Sequence, residues 1–287
     1  MSDQPLVSVL MTAYNREQYI AEAVESVLNS SYKNYELVIV DDVSVDRTVD
    51  IIRQYALKDS RIRYVINEYN LGDYQNRNYA AGLAKGEFIM YVDSDDTILP
   101  EGMWDCVAAM CHFPAANVGM YWLHSKGQPF LLQPTESINR HFYENAFLII
   151  GPGGTILRRS FFVAIQQYPE KYGPANDLYF NLKVACATPL LLLPFEFFNY
   201  RLHEGQQINN AYSYLINSYC YLQDALRELP LPLTMAQKKW LVKKSKRRFA
   251  INIVKFFFRT FQPGKTRAAI LRAGFGWKDA LEGVFHL

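Results

Sequence analysis

Between Leu6 and Val92, four short apolar runs alternate with segments of helical spacing. The runs are residues 6–11, 35–40, 62–66 and 88–92. The first two are apolar at nearly every position, as expected for buried central strands, and the other two read as a third and a fourth strand. Between them, Ile20, Ala23, Val24, Val27 and Leu28 recur at the spacing of one helix face. Ile51, Ile52, Tyr55 and Ala56 do the same, and a third helix is expected over residues 74–84. Asn15 with Gln18 fits a capping box for the first helix, and Gly86 reads as the stop after the third. Such alternation implies right-handed βαβ units: an α/β chain with a mainly parallel sheet flanked by helices.

On such a sheet, ligands bind beyond the carboxyl ends of the strands. Three polar clusters fall there: residues 12–15, the pair Asp41 and Asp42, and the run Asp93-Ser94-Asp95-Asp96. Three carboxylates at the end of a buried strand repel one another unless a cation or a set of donors sits among them. Hard oxygen ligands favour Mg²⁺ or Mn²⁺, which keep positions open for phosphates. Alone, an Asp-x-Asp string is more often a solvated turn; three clusters on one rim favour a site. No Gly-x-Gly-x-x-Gly follows the first run and no phosphate-binding Gly-x4-Gly-Lys string occurs. That argues against a dinucleotide dehydrogenase and a P-loop NTPase.

Further on, Gly151-Pro152-Gly153-Gly154-Thr155 is either a loop that lets the backbone approach a ligand or a plain tight turn. Asp177 opens a helical segment, 178–187, and could serve only as its cap. A strand is expected over residues 118–123, a hairpin or loop over 125–133 and another strand over 190–198.

Charge divides the chain. Residues 1–228 hold 17 Lys and Arg against 26 acids, and residues 229–287 hold 13 against 2. The last segment is helical in pattern, with seven basic residues between Lys238 and Arg248 and then a run rich in Phe. Basic and aromatic residues together suit contact with an anionic membrane surface through residues 238–261; the competing reading packs the Phe side chains onto the core. No nucleic-acid module accompanies the basic residues, so no nucleic-acid partner is expected. The four cysteines have neither zinc spacing nor secreted-scaffold density, and the first residues lack a signal-peptide pattern. No apolar run is long enough to span a bilayer. The expected location is therefore cytoplasmic, with peripheral attachment to the inner face of the cell membrane.

The order of motifs over roughly residues 6–205 resembles the family 2 glycosyltransferases with a GT-A fold. The resemblance rests on Val7 to Asn15, Glu36 to Asp42 with Ser44, Asn70-Leu71-Gly72 with Arg77-Asn78, Lys85-Gly86-Glu87-Phe88, and Asp93 to Asp96. It implies a transferase domain over residues 1–210 and a helical extension over 211–287. It implies an inverting enzyme moving sugar from a UDP-sugar to a glycan or lipid-linked acceptor in polysaccharide assembly. By the same resemblance, Thr12, Ala13, Tyr14, Asn15, Asp41, Asp42, Arg77, Asp93, Ser94, Gly153 and Gly154 would contact the nucleotide sugar. Asp93, Asp95 and His203 would hold Mn²⁺ or Mg²⁺, and Asp177 would be the general base. Many relatives carry Glu-Asp where this chain has Asn176-Asp177. The alternatives are a nucleotidyltransferase that makes sugar nucleotides and a non-catalytic nucleotide-sugar-binding protein. Against the first, no glycine-rich, Lys- or Arg-bearing loop follows the first run.

Overall fold

In the computed structural model, residues 4–122, 124, 126–203 and 211–284 are described. The first strands are β1 (Val7–Ala13), β2 (Tyr35–Asp41), β3 (Ile62–Ile66) and β4 (Phe88–Tyr91). Helices α1 (Ile20–Leu28), α2 (Thr48–Ala56) and α3 (Asp73–Leu83) connect them in turn. All pairings among these strands are parallel. The sheet continues through β8 (Thr155–Arg158), β6 (Val118–Tyr121), β9 (Leu190–Leu193) and β7 (Phe130–Leu132), giving the order β3-β2-β1-β4-β8-β6-β9-β7. Strand β8 runs antiparallel to both its neighbours, so the parallel half joins a mixed half.

Neighbouring residues of the central strands feed two different cores, as their nearly uninterrupted apolar pattern requires. Leu10, Val38, Ile89 and Tyr91 pack on the side of α3, α5 (Pro134–Tyr143), α6 (Arg159–Ala164) and α7 (Asn176–Ala187). Val9, Met11, Leu37, Ile39 and Met90 pack against α1, α2 and α4 (Gly102–His112). A small antiparallel pair, β5 (Thr97–Ile98) with β10 (Phe198–Asn199), lies outside the main sheet. It ties residues 198–203 to the acidic loop.

Two local expectations are corrected. Helix α1 starts only at Ile20 and has no side-chain cap; Asn15 sits at φ 53° and its Oδ1 accepts from Val45 N instead. Gly86 is not a left-handed helix stop. A Cβ there would stand 2.5 Å from Ser8 N and 2.7 Å from Leu6 O, so the glycine lets β1 pass close by.

The expected domain boundary at 210/211 adjoins residues 204–210, which lie outside the described residues, as do Leu123, Ser125 and His286. Helix α8 (Ala211–Glu228) packs on α7, and Asp224 accepts from Tyr172 Oη at 2.8 Å. Helix α9 (Met235–Thr260) opens with a capping box, Thr234 with Gln237. Leu226, Leu229, Leu231 and Leu241 join the core on the α7 side. Ile216, Tyr219, Phe249 and Ile253 form a smaller core with Ala269 of α10 (Pro263–Arg272). Helix α11 (Trp277–Val284) lies on α9, where Lys246 pairs with Asp279 at 2.8 Å and Glu282 at 2.5 Å. Among the described residues, no helix is long and apolar enough to cross a membrane.

Candidate active site

The strand order reverses at β1, which has β2 on one side and β4 on the other. Beyond the carboxyl ends of these strands lies a cleft of about 560 Å³. Thr12, Ala13 and Tyr14 line it from the end of β1, and Asp42 from the end of β2. Asp42 is buried, and the loop after β3 closes onto it. Its Oδ1 accepts from Leu71 N at 2.8 Å and from Asn67 Nδ2 at 2.8 Å; its Oδ2 accepts from Gly72 N at 2.9 Å. Gly72 adopts φ 82°, a region open to glycine, so the turn can aim successive amides at one carboxylate.

The acidic loop after β4 is the next wall. Oxygens of Asp93, Asp95 and Asp96 lie within 4.8 Å of one another. Asp93 accepts from Arg77 Nη1 at 2.6 Å, and Arg77 Nε donates to Asp73 at 2.7 Å. Burial opposes the charge on Arg77, but Asp73 and Asp93 outweigh it and hold the guanidinium protonated. Asp95 Oδ2 accepts from Arg16 Nε at 3.0 Å and lies 2.9 Å from His203 Nε2. The β5–β10 pair delivers His203 to this point, and its ring stacks on Tyr19 with centroids 4.7 Å apart. Asp96 turns inward and accepts from Arg201 N at 2.9 Å. Its carboxyl is pushed up to about 7, by burial first and by the neighbouring Asp93 and Asp95.

Asp177 lines the cleft from the first turn of α7, outside the carboxylate cluster. It does not cap the helix in the expected way: the cap residue is Ala175, without a side-chain bond. Its Oδ1 accepts from Leu178 N at 2.7 Å. Burial raises the carboxyl to about 7, and Asp73 adds to the rise. Gly151 passes close by, since a Cβ there would stand 3.8 Å from Asp177 Oδ2.

Of the residues expected at the site, Thr12, Ala13, Tyr14, Asp42, Arg77, Asp93, Ser94, Asp95 and Asp177 line this one cleft. His203 reaches it through Asp95. Four others stand outside the lining. Asn15 is turned toward Val45. Asp41 is buried, accepting from Ser44 N at 2.8 Å and Ser44 Oγ at 2.5 Å. Gly153 and Gly154 lie behind Gly151 and Pro152, which do face the cleft. At Gly154 a Cβ would meet Ile150 Cγ2 at 2.3 Å, so packing accounts for that glycine. Lining residues that the sequence reading missed include Arg16, Asp73, Tyr200 and Tyr214. Arg16, two positions after Tyr14, carried a signal: it is a cation in the turn after β1.

The donor set fits a hard divalent cation. Three carboxylates converge, and one oxygen of Asp95 already carries a guanidinium and an imidazole nitrogen at hydrogen-bonding distance. The cluster therefore favours positive charge.

The family model described as Glycosyl transferase family 2 matches residues 8–172. The putative teichuronic acid biosynthesis glycosyltransferase TuaG of Bacillus subtilis is 45% identical over 93 residues, 32% of this chain and 37% of TuaG. The chain spans about a third of the length of the curated relatives that head the comparison. Among solved structures, Staphylococcus aureus TarS 1–349 in complex with UDP-GlcNAc superposes with a TM-score of 0.72 at 23% identity, covering 93% of this chain and 79% of that one. The mannosyltransferase PcManGT from Pyrobaculum calidifontis, in complex with GDP-Man and Mn²⁺, gives 0.59 at 15% identity, covering 99% and 88%. These likenesses establish the GT-A fold.

Proposed function

Because the chain belongs to glycosyl transferase family 2, we propose that it transfers a sugar from a UDP-sugar to a hydroxyl of a glycan or lipid-linked acceptor, in cell-surface polysaccharide assembly, with inversion at the anomeric carbon. The observation that carries this reading is the division of carboxyl groups in one cleft. Asp93 and Asp95 line the cleft after β4, while Asp177 stands apart on α7 with its carboxyl near 7.

Each group has a task. Tyr14 and Asp42, at the ends of β1 and β2, would take the nucleoside. Asp93 and Asp95, with His203 beside Asp95, would hold Mn²⁺ or Mg²⁺, which supplies Lewis-acid stabilisation of a departing diphosphate when bound. Arg77 keeps Asp93 aimed. Asp177 would accept the proton of the attacking acceptor hydroxyl, whose own pKa lies far above 7. A base with a carboxyl near 7 is matched to that work at neutral pH.

The supply of carboxylates supports inversion. A retaining double displacement, as in retaining glycosidases, needs a nucleophilic carboxylate as well as an acid/base. Here Asp42 is committed to the amides of residues 71 and 72, and Asp73 to Arg77. Asp177 then serves as the single base of one displacement.

The test is a screen of UDP-sugars with Mn²⁺ or Mg²⁺, first by thermal shift and then by UDP release with candidate acceptors. Native-state ligands raise the apparent stability. UDP release with an inverted product supports the proposal. UDP binding with no release from any donor would make the chain a binding protein. Pyrophosphate release from a nucleoside triphosphate and a sugar phosphate would make it a nucleotidyltransferase.

A further inference from the structure

Helix α9 buries one stripe and exposes the opposite one. Leu241, Ser245, Phe249 and Ile253 recur every fourth residue on the buried side. On the outer side, Ile251, Val254 and Phe258 follow at spacings of three and four, and Phe261 stands exposed just past the end of the helix. Phe258 is 64% exposed and Phe261 72%. Large apolar side chains in a row on a solvent-facing helix are a contact surface rather than scatter. Flanking them, Lys243, Lys244, Lys255 and Arg259 are exposed. The two acids of the segment, Asp279 and Glu282, are both taken up by Lys246 on the α11 side.

The occupant follows from charge and shape. A second copy laid on this stripe would bring Lys243, Lys244, Lys255 and Arg259 against their own equivalents, without an acid to offset them. A polynucleotide would match the charge but leave the exposed Phe and Val side chains unmatched. An anionic bilayer satisfies both, because aromatic and aliphatic groups enter the headgroup boundary while Lys and Arg meet lipid phosphates. Since no described helix can span a bilayer, the contact lies on the surface.

We infer that the outer face of α9 docks on an anionic lipid bilayer. The attachment is coupled to the cleft through α8. Tyr214 of α8 lines the cleft, while Tyr219 of the same helix stacks on Phe249 of α9 with centroids 4.5 Å apart. Docking therefore orients the cleft wall relative to the membrane. This inference stands on the surface alone and does not require the transfer reaction.

The full chain should be sedimented with vesicles of phosphatidylcholine and phosphatidylglycerol in equal parts, and with phosphatidylcholine alone. Binding is expected only to the mixed vesicles, with release at high salt. The double variants Phe258→Ser/Phe261→Ser and Lys243→Glu/Lys244→Glu should each lower the vesicle partition about fivefold or more. For the wild-type chain, tryptophan fluorescence should be quenched by brominated lipid in mixed vesicles, a readout that does not depend on how the variants fold. Absence of both sedimentation and quenching overturns the inference, and so does binding that both variants retain in full. Concentration-dependent dimerisation lost in Phe258→Ser/Phe261→Ser, without lipid binding, would assign the face to a second copy. Tighter binding to a DNA duplex than to vesicles, indifferent to the Phe substitutions, would assign it to nucleic acid.

Discussion

Arg77 Nη1 meets Asp93 Oδ1 at 2.6 Å, so the middle of α3 fixes the start of the acidic loop after β4. The same guanidinium holds Asp73 at the entrance to α3, and Tyr91 Oη donates to the Arg77 carbonyl at 3.1 Å. One buried cation thus ties together two of the walls that carry the cleft's acids.

Replacing Arg77 with Met keeps much of the side-chain volume but removes the charge. Asp73 and Asp93 then lose their shared donor while staying partly in water. The expected cost is about 2–3 kcal/mol, read as a lower urea midpoint with an unchanged slope. Mn²⁺ affinity by calorimetry should fall as well, because Asp93 is no longer aimed. Wild-type stability in the variant would remove the clamp role.

Asp95→Ala should abolish Mn²⁺-dependent binding of UDP in a thermal-shift titration. Arg16 and His203 both address Asp95 Oδ2, so the substitution also leaves them without that oxygen. His203→Ala keeps the carboxylates and is expected to weaken Mn²⁺ by roughly 10–100-fold rather than eliminate it. Unchanged Mn²⁺ dependence in Asp95→Ala would take the metal role from this residue.

For Asp177 the pH dependence has a definite sign. Its carboxyl sits near 7 in the folded chain against an ordinary 3.8. The folded state therefore holds this proton more tightly than the unfolded state. Between pH 3.8 and 7 its contribution turns against folding as pH rises, and the penalty is complete above pH 7. Asp177→Asn should be more stable than wild type at pH 8, by on the order of 1 kcal/mol, and no more stable at pH 3.5. Activity runs the other way. A base must be ionised, so kcat should rise with pH through about 7 in the wild type. The Asn variant should bind donor normally and lose transfer by a factor of about 100 or more. Full turnover in Asp177→Asn would exclude it as the base.

Gly86→Ala tests a close approach rather than a turn. The added methyl would collide with Ser8 N and Leu6 O, both backbone atoms of the β1 edge. Overpacking of this kind costs about 1–3 kcal/mol. Gly264→Ala is the control, since nothing lies within 4 Å of its added Cβ. Equal melting temperatures for the two variants would contradict the packing account.

Strand β1, strand β2 and the acidic loop were legible because their signals are local. An apolar run bounded by turn residues can be read in order, and the fold rule puts its polar end on the ligand rim. The neighbours Asp41 and Asp42 show where that reading stops. Successive side chains leave a strand in opposite directions, and only the tertiary pairing decides which of them meets a cleft. Asp41 went to Ser44 and Asp42 to the cleft, where the loop at residues 71–72 closes on it. The Phe-rich tail behaves similarly. Its composition shows basic and aromatic character, yet Phe249 is buried in the α8–α9–α10 core while Phe258 is exposed.

By itself the sequence determined the four parallel βαβ strands, the acidic end of β4 and the basic last segment, because apolar periodicity and charge are properties of neighbouring residues. The tertiary structure alone decided which polar side chains share a site. His203 reaches Asp95 across 108 residues of chain only because β10 pairs with β5. Arg16 joins them because the turn after β1 faces the loop after β4. Such meetings depend on strand order and register, to which no local pattern corresponds.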